Sequence, residues 1–353
     1  MAPLVSICVP MYNGAAHLAE CLESALAQTF HDTEIVLVDD ASTDNTLEIA
    51  EAFVRRDSRV RLYRNPKNLG LVANWGKCVN LANGEWIKFL FQDDLLEPIC
   101  VERMMNATHG RVSLVVCRRA LLFGREESEN HKIYWETFIT KNCLPQHFPG
   151  CSFIGPDQFA LHMAQSPLTN CIGEPTATLL HRSVFTDFGS FNSHLIQLVD
   201  WEYCARIAVQ KGLSYIDDKL ATFRVHDLSA TAFNKVHRKY HANVLDPLII
   251  LHELAYSPFY ATVRAAADRH KPPINLLHRL VATARDARAL AHDQTGNSIA
   301  PDDHALAEWR HLVRYYPRVT SLPASYIIAG GIRRAKTEVE RMLRMAGSFF
   351  HQE

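Results

Sequence analysis

The sequence predicts an α/β fold over its first two thirds, followed by a mostly helical carboxyl-terminal region from about residue 236. Three observations carry that expectation. Continuous apolar, β-branched runs recur near the amino terminus, and segments with helical spacing of apolar residues separate them. Beyond His237 the pattern turns helical almost throughout.

The first run, LVSICVPMY, ends at the turn residues Asn13 and Gly14, and residues 15–29 then place Leu18, Leu22, Ala25 and Leu26 on one helical face. EIVLVDD is the second strand. Ser42, Thr43 and Asp44 follow it as candidate N-caps for a helix over 46–55. RVRLYRN is the third strand, a helix covers roughly 71–82, and EWIKFLFQDD is the fourth strand. Continuous apolar strands alternating with amphipathic helices imply a parallel sheet covered on both faces. The middle is mixed, with strand signal at 113–117 and 176–180 and a helix near 201–210. Pro272-Pro273 and residues 294–303 read as connectors.

Bulk properties narrow the function classes. The chain has 353 residues, 48% hydrophobic and 21% charged, enough for one large or two modest cores. Lys plus Arg is 37 against 38 for Asp plus Glu, so no global charge recommends nucleic acid as a partner. Nine scattered cysteines with no CxxC pair read as reduced thiols and a cytoplasmic setting. The opening run is too short for a secretory leader, and no window reaches the roughly 20 apolar residues of a membrane span.

Polar residues cluster where the strand runs end, the rim at which open α/β sheets bind ligands. Neither GxGxxG nor a P-loop follows the first strand, and no HExxH or GxSxG motif is present. Two acidic pairs, Asp39-Asp40 and Asp93-Asp94, end strand runs instead. Paired carboxylates are costly without a cation or hydrogen-bond donors, although each pair alone also reads as a cap for the next helix.

With these residues in view, the run from Val5 through LVDD and ASTDNT resembles the amino-terminal signature of family 2 glycosyltransferases of the GT-A fold. The resemblance continues through NPKNLGLVANWGKCVNLANGEWIKFLFQDDLLEP, GEPTATLLHRSVFTDFGSFN, LVDWEYCARIAVQKG and FRVHDLSAT, covering about residues 3–235 with five motifs in order. It implies a GT-A catalytic domain over 1–235, with a nucleotide-binding half at 1–112 and an acceptor half at 113–235. The helical region then spans 236–353.

The resemblance also implies roles. Pro10, Tyr12 and Asn13 line the nucleotide pocket, Asp40 bonds the base, and the loop around Asn68 closes over base and ribose. Asp94 is the direct ligand of Mn²⁺ or Mg²⁺, Asp93 stands on the ribose side, and His226 completes the metal or diphosphate site. Asp200 is the catalytic base, and Glu174 contacts the acceptor. Phe91 departs from the family pattern, which often has an acid there. Trp201 reads either as a stacking platform for an acceptor sugar or as a core side chain; Glu202 either positions the acceptor or solvates its helix; His226 is otherwise a loop histidine.

Such a site moves a sugar, with inversion, from a UDP-, dTDP- or GDP-linked donor to an acceptor hydroxyl. The acceptor is a glycan, lipid-linked glycan or protein, in surface polysaccharide or glycoconjugate assembly; a non-catalytic sugar-nucleotide scaffold is the alternative of another class. Residues 326–350 mix apolar side chains with Arg333, Arg334, Lys336, Arg341 and Arg344. They read as a helix lying on the inner face of an anionic membrane, or packed on the catalytic domain or the second copy of a homo-oligomer.

Overall fold

The structure is a computed structural model describing residues 3–108, 112–124, 127–227, 229–292 and 304–321. Nine strands form one sheet: β1 (Val5–Met11), β2 (Thr33–Asp39), β3 (Val60–Arg64), β4 (Trp86–Phe89), β5 (Leu95–Leu96), β6 (Leu114–Phe123), β7 (Phe153–Ile154), β8 (Thr178–His181) and β9 (Leu213–Val225). Their order is β3-β2-β1-β4-β8-β6-β9-β5, with β7 on β9. The helices that matter below are α1 (Leu18–Leu26), α2 (Thr46–Arg56), α3 (Leu71–Leu81), α4 (Val199–Lys211), α5 (Ala230–His237), α6 (Asp246–Tyr256), α7 (Ala261–Arg269), α8 (Leu276–Ala291) and α9 (Ala305–Tyr315).

The expected parallel sheet is present from β3 to β4. Beyond it the sheet is mixed, because β8 runs antiparallel to both β4 and β6. β8 enters from the rim where β4 ends, so its direction is reversed and its first residues lie at that rim. The predicted fourth strand also stops early, at Phe89. Residues 91–94 form a turn closed by Asp94 N–H on the Phe91 carbonyl at 3.0 Å.

Pro10 sits in a central strand, where a missing N–H is normally excluded. It is tolerated because β4 pairing on β1 ends at Cys8↔Phe89, before Pro10 is reached.

Alternation along β1 divides the core. Val5, Ile7, Val9 and Met11 pack with α1 residues Leu18, Cys21 and Leu22, whereas Cys8 packs with Trp75, Cys78 and Val79 of α3. That second core continues without interruption through Trp201 and Tyr203 of α4 into Tyr240, Leu248, Leu280 and Trp309, so the carboxyl-terminal helices share one interior with α4 and the sheet. All nine cysteines are free. No helix of the described residues is long and apolar enough to cross a membrane. The basic stretch at 326–350 and the connector at 294–303 lie outside the described residues.

Candidate active site

The first two loops at the carboxyl rim interlock. Asn13 and Ala41 adopt φ of 47° and 61°, a region non-glycine residues rarely occupy outside functional turns. Asn13 N–H donates to Ser42 Oγ at 2.9 Å, and Asn13 Oδ1 accepts from Thr43 N–H at 2.9 Å. Asp44 Oδ2 takes Ala15 N–H at 3.2 Å. Ser42 and Thr43, expected to cap α2, therefore bind the loop after β1 instead, whereas Asp44 does both, its Oδ1 accepting Thr46 N–H at 3.1 Å at the start of α2; the cap position itself falls on Asn45, which makes no side-chain capping bond.

Gln92 joins the acidic turn to the same loop. Its Oε1 accepts from Tyr12 N–H at 2.8 Å while its Nε2 donates to Tyr12 C=O at 3.0 Å. A Cβ on Gly14 would stand 2.2 Å from Gln92 Oε1, so the clamp requires glycine there. Tyr12 itself is 46% exposed, presenting its ring at the rim.

Asp40 is 2% exposed and anchors the next loop. Its Oδ1 accepts from Asn65 Nδ2 at 2.8 Å and Leu69 N–H at 2.9 Å, and its Oδ2 accepts from Gly70 N–H at 3.0 Å. Asn68 Oδ1 also receives Gly70 N–H at 2.9 Å, so Asp40 and Asn68 converge on one turn before α3.

The centre of the rim is Asp93-Asp94. Asp94 is 1% exposed; Thr176 Oγ1 donates to its Oδ2 at 2.6 Å and Arg224 N–H to its Oδ1 at 3.1 Å. Burial first, and the Asp93 charge second, hold its carboxyl well above the usual carboxylate range despite those donors. Asp93 Oδ2 lies 2.9 Å from His226 Nε2, and the Asp93 carbonyl accepts from Arg224 Nε at 2.9 Å. His226 Nδ1 is buried without a hydrogen-bond partner, and the His17 ring stands edge-on at 5.1 Å. Burial, then Arg224 and His226, push His17 below the ordinary imidazole value.

In the segment before β8, Glu174 Oε2 pairs with Arg119 Nε at 2.8 Å. Gly173 has φ +100°, and a Cβ there would meet Arg119 at 1.8 Å, so glycine lets the guanidinium reach Glu174. Asp200 opens the first turn of α4, its Oδ1 accepting Trp201 N–H at 2.7 Å. Burial chiefly, then the Glu174 charge, push its carboxyl up to about 7. Glu174 raises Asp94 as well, so one carboxylate is felt by both the acidic turn and Asp200.

Trp201 takes the core one of its two readings, against acceptor stacking, and Glu202 takes neither of its two. Trp201 is 0% exposed and its Nε1 donates to Pro167 C=O at 3.0 Å, leaving no ring face for a sugar. Glu202 is 1% exposed and held by Arg206 Nε at 3.0 Å and Tyr260 Oη at 2.7 Å, so it serves the interior of α4. Conversely, sequence reasoning gives no role to Thr176 or Arg119 and sees Gln92 only as part of the acidic motif; Thr176 lies inside the GEPTATLL run, but its bond is legible only once the segment entering β8 meets the acidic turn.

The sequence profile of Glycosyl transferase family 2 matches residues 6–185, just over half the chain. An uncharacterised protein of Mycobacterium tuberculosis, MT1568, is 32% identical over 75% of this chain and 80% of its own length. Glycosyltransferase GlyG of Streptococcus pneumoniae is 33% identical over 39% of this chain and 45% of its own. A chondroitin synthase of Escherichia coli is 40% identical over 32% of this chain, which spans 16% of that protein. Among solved structures, S. aureus TarS 1-349 with UDP-GlcNAc superposes with TM-score 0.57 at 14% identity, covering 99% of this chain and 91% of that one. The mannosyltransferase PcManGT of Pyrobaculum calidifontis, with GDP-Man and Mn²⁺, gives 0.53 at 18%, covering 96% and 88%. The fold is accordingly of the GT-A type. The chain belongs to glycosyl transferase family 2.

Proposed function

We propose that this glycosyltransferase works with inversion and uses a divalent cation, moving a sugar from a nucleoside-diphosphate donor to an acceptor hydroxyl during surface polysaccharide or glycoconjugate assembly. The observation that carries the reading is the 2.6 Å bond from Thr176, two residues after Glu174, to Asp94 Oδ2, which joins the segment entering β8 to the acidic turn at one rim. The relatives named for transfer and chondroitin synthesis support the substrate class, and the nine free thiols support a cytoplasmic setting.

The residues suit a hard cation held lightly. Among the described residues no group of three His, Cys, Asp or Glu side chains is arranged to hold a metal. Asp94, with Asp93 and the unpartnered His226 Nδ1 nearby, fits an ion that takes its remaining ligands from diphosphate and water. Carboxylates suit Mg²⁺ or Mn²⁺, and a histidine nitrogen favours Mn²⁺, the ion bound in PcManGT. When present, the ion neutralises charge developing on the leaving diphosphate.

The chain's own residues supply the rest. Tyr12, Asn13 and the Asp40-organised loop at Asn68 cradle the nucleoside beneath Pro10, with Asp93 on the ribose side. Glu174 orients the acceptor. Asp200 takes the acceptor proton as its oxygen attacks the anomeric carbon, while the carbon–phosphate oxygen bond breaks on the opposite face and inverts the centre.

The test is calorimetric titration of UDP-, dTDP- and GDP-sugars with Mn²⁺, Mg²⁺ or chelator, on wild type and Asp94→Ala. Metal-dependent binding of one donor, abolished by Asp94→Ala, is expected; equal metal-free binding by both proteins overturns the metal reading. Product anomer determined by NMR tests inversion, and absence of turnover with every donor overturns the enzyme reading in favour of a scaffold.

A further inference from the structure

We infer that Asp246, which lies outside the matched family segment, is a positioning residue for Asp200; this rests on the reading of Asp200 as the base. Asp246 opens α6 and is 0% exposed. Its carboxylate receives three consecutive backbone N–H groups: Ile196 at 3.1 Å, Gln197 at 2.6 Å and Leu198 at 2.9 Å. Leu198 is the cap residue of α4, and Asp200 follows two positions later. A buried carboxylate cradled by successive amides fixes the backbone as a charge-assisted nest does.

The same loop is held from its other side. Asn234 Nδ2 donates to Ile196 C=O at 3.2 Å, and Gln197 Nε2 donates to Thr231 Oγ1 at 3.1 Å, both from α5. His241 stands behind the carboxylate, its Nε2 3.5 Å from Asp246 Oδ1 and 2.9 Å from His194 C=O, while its Nδ1 faces Glu308 at 3.3 Å. His237 and His241 have the spacing of a helical metal pair, but α5 ends at His237 and both His241 nitrogens have protein partners.

The carboxyl-terminal helices therefore grip the chain immediately before α4. Val199 and residues 201–209 of that helix are buried, whereas Asp200 in its first turn keeps partial exposure. Displacing a reacting group by about 1 Å costs on the order of 10²-fold in rate. A carboxylate that sets the first turn of α4 thus acts on turnover without touching substrate.

The experiment uses the full chain with Asp246→Asn and Asp246→Ala, each alone and combined with Asp200→Asn, reading kcat and donor Kd. Asp246→Asn keeps shape and one acceptor oxygen, so it carries the test where the Ala variant fails to fold. Expected is a loss of roughly tenfold in kcat with donor Kd unchanged, and no further loss when Asp246→Asn is added to Asp200→Asn. An unaltered kcat in folded Asp246→Asn, or an equal loss in both backgrounds, overturns the inference. Near wild-type turnover by Asp200→Asn alone overturns the base assignment and this inference with it, so the two failures are distinguishable.

Discussion

Thr176 donates its hydroxyl to Asp94 Oδ2 over 2.6 Å, tying the segment that enters β8 to the acidic turn after β4. Thr176 is itself held from below: Lys88, fully buried in β4, donates its ammonium to the carbonyls of Thr176 and of Thr178, the latter at 3.2 Å. Asp94 is thus positioned by the short turn that leads into β8. Removing the hydroxyl leaves the carboxylate with Arg224 N–H alone. A hydrogen bond to a charged group contributes about 1.5–3 kcal/mol, so Thr176→Val is expected to weaken metal-dependent donor binding by at least about tenfold. Thr176→Ser should restore most of it. Donor titration that shows Val equal to wild type would remove Thr176 from the site.

The clamp between Gln92 and Tyr12 gives a second test, because two different substitutions break the same contact. Gln92→Ala deletes both amide bonds. Gly14→Ala drives a Cβ into the Gln92 amide, which must swing away and lose them. Both variants should raise the donor KM by a similar factor, roughly 5- to 30-fold for one or two net hydrogen bonds, and the double variant should be no worse than either. Additive losses in the double variant would mean that Gly14 and Gln92 act separately.

Trp201 makes a contrasting prediction, since its environment is interior. Trp201→Phe loses the indole N–H and leaves the Pro167 carbonyl without its 3.0 Å partner. The expected cost is about 1–3 kcal/mol of stability in urea denaturation, with the acceptor KM unchanged. A stable variant with a raised acceptor KM would return Trp201 to the sugar-binding surface.

What was legible in the sequence follows from what is local. The β1–β3 runs, the helices between them and the acidic end of β2 are written in contiguous apolar periods and turn residues and stand where those periods put them, whereas β4 stops at Phe89 and leaves Asp93-Asp94 in a turn. Trp201 and Glu202 stay open in the sequence because a helix first turn next to Asp200 gives no sign of which azimuth faces inward. That azimuth is fixed by Arg206, Tyr260 and Pro167, which arrive from elsewhere in the chain. The reversal of β8 and the Thr176–Asp94 bond are likewise long-range, spanning 82 residues. Asp246 had no local signal at all, since its partners are backbone amides 48 to 50 positions away.

Asp200 offers the most discriminating prediction because its proton affinity has opposite consequences for rate and stability. A small part of its surface reaches solvent, yet the packing around it and the Glu174 charge raise it from 3.8 to about 7. An acid whose folded value is raised contributes its stability below the unfolded value, near 4, and loses that contribution as pH climbs toward 7. The ionised form needed to accept a proton is therefore the form the fold disfavours. In the free enzyme, kcat/KM should rise with pH along a limb centred near 7. Asp200→Asn cannot ionise, so its Tm relative to wild type should increase from pH 5 to pH 8. Its turnover should meanwhile fall by roughly 10²–10⁴-fold, with donor affinity retained, because Asp40, Asn68 and Asp93, proposed for the nucleotide side, bond to partners outside α4. Thermal denaturation across that pH range and steady-state kinetics measure both limbs. A helix-cap role alone would give the reverse pattern, a less stable protein at every pH with normal chemistry. An Asn variant that loses stability and keeps its rate would thus show that Asp200 holds the helix and that the proton goes elsewhere, with Glu174, already paired to Arg119 beside it, as the next carboxylate to test.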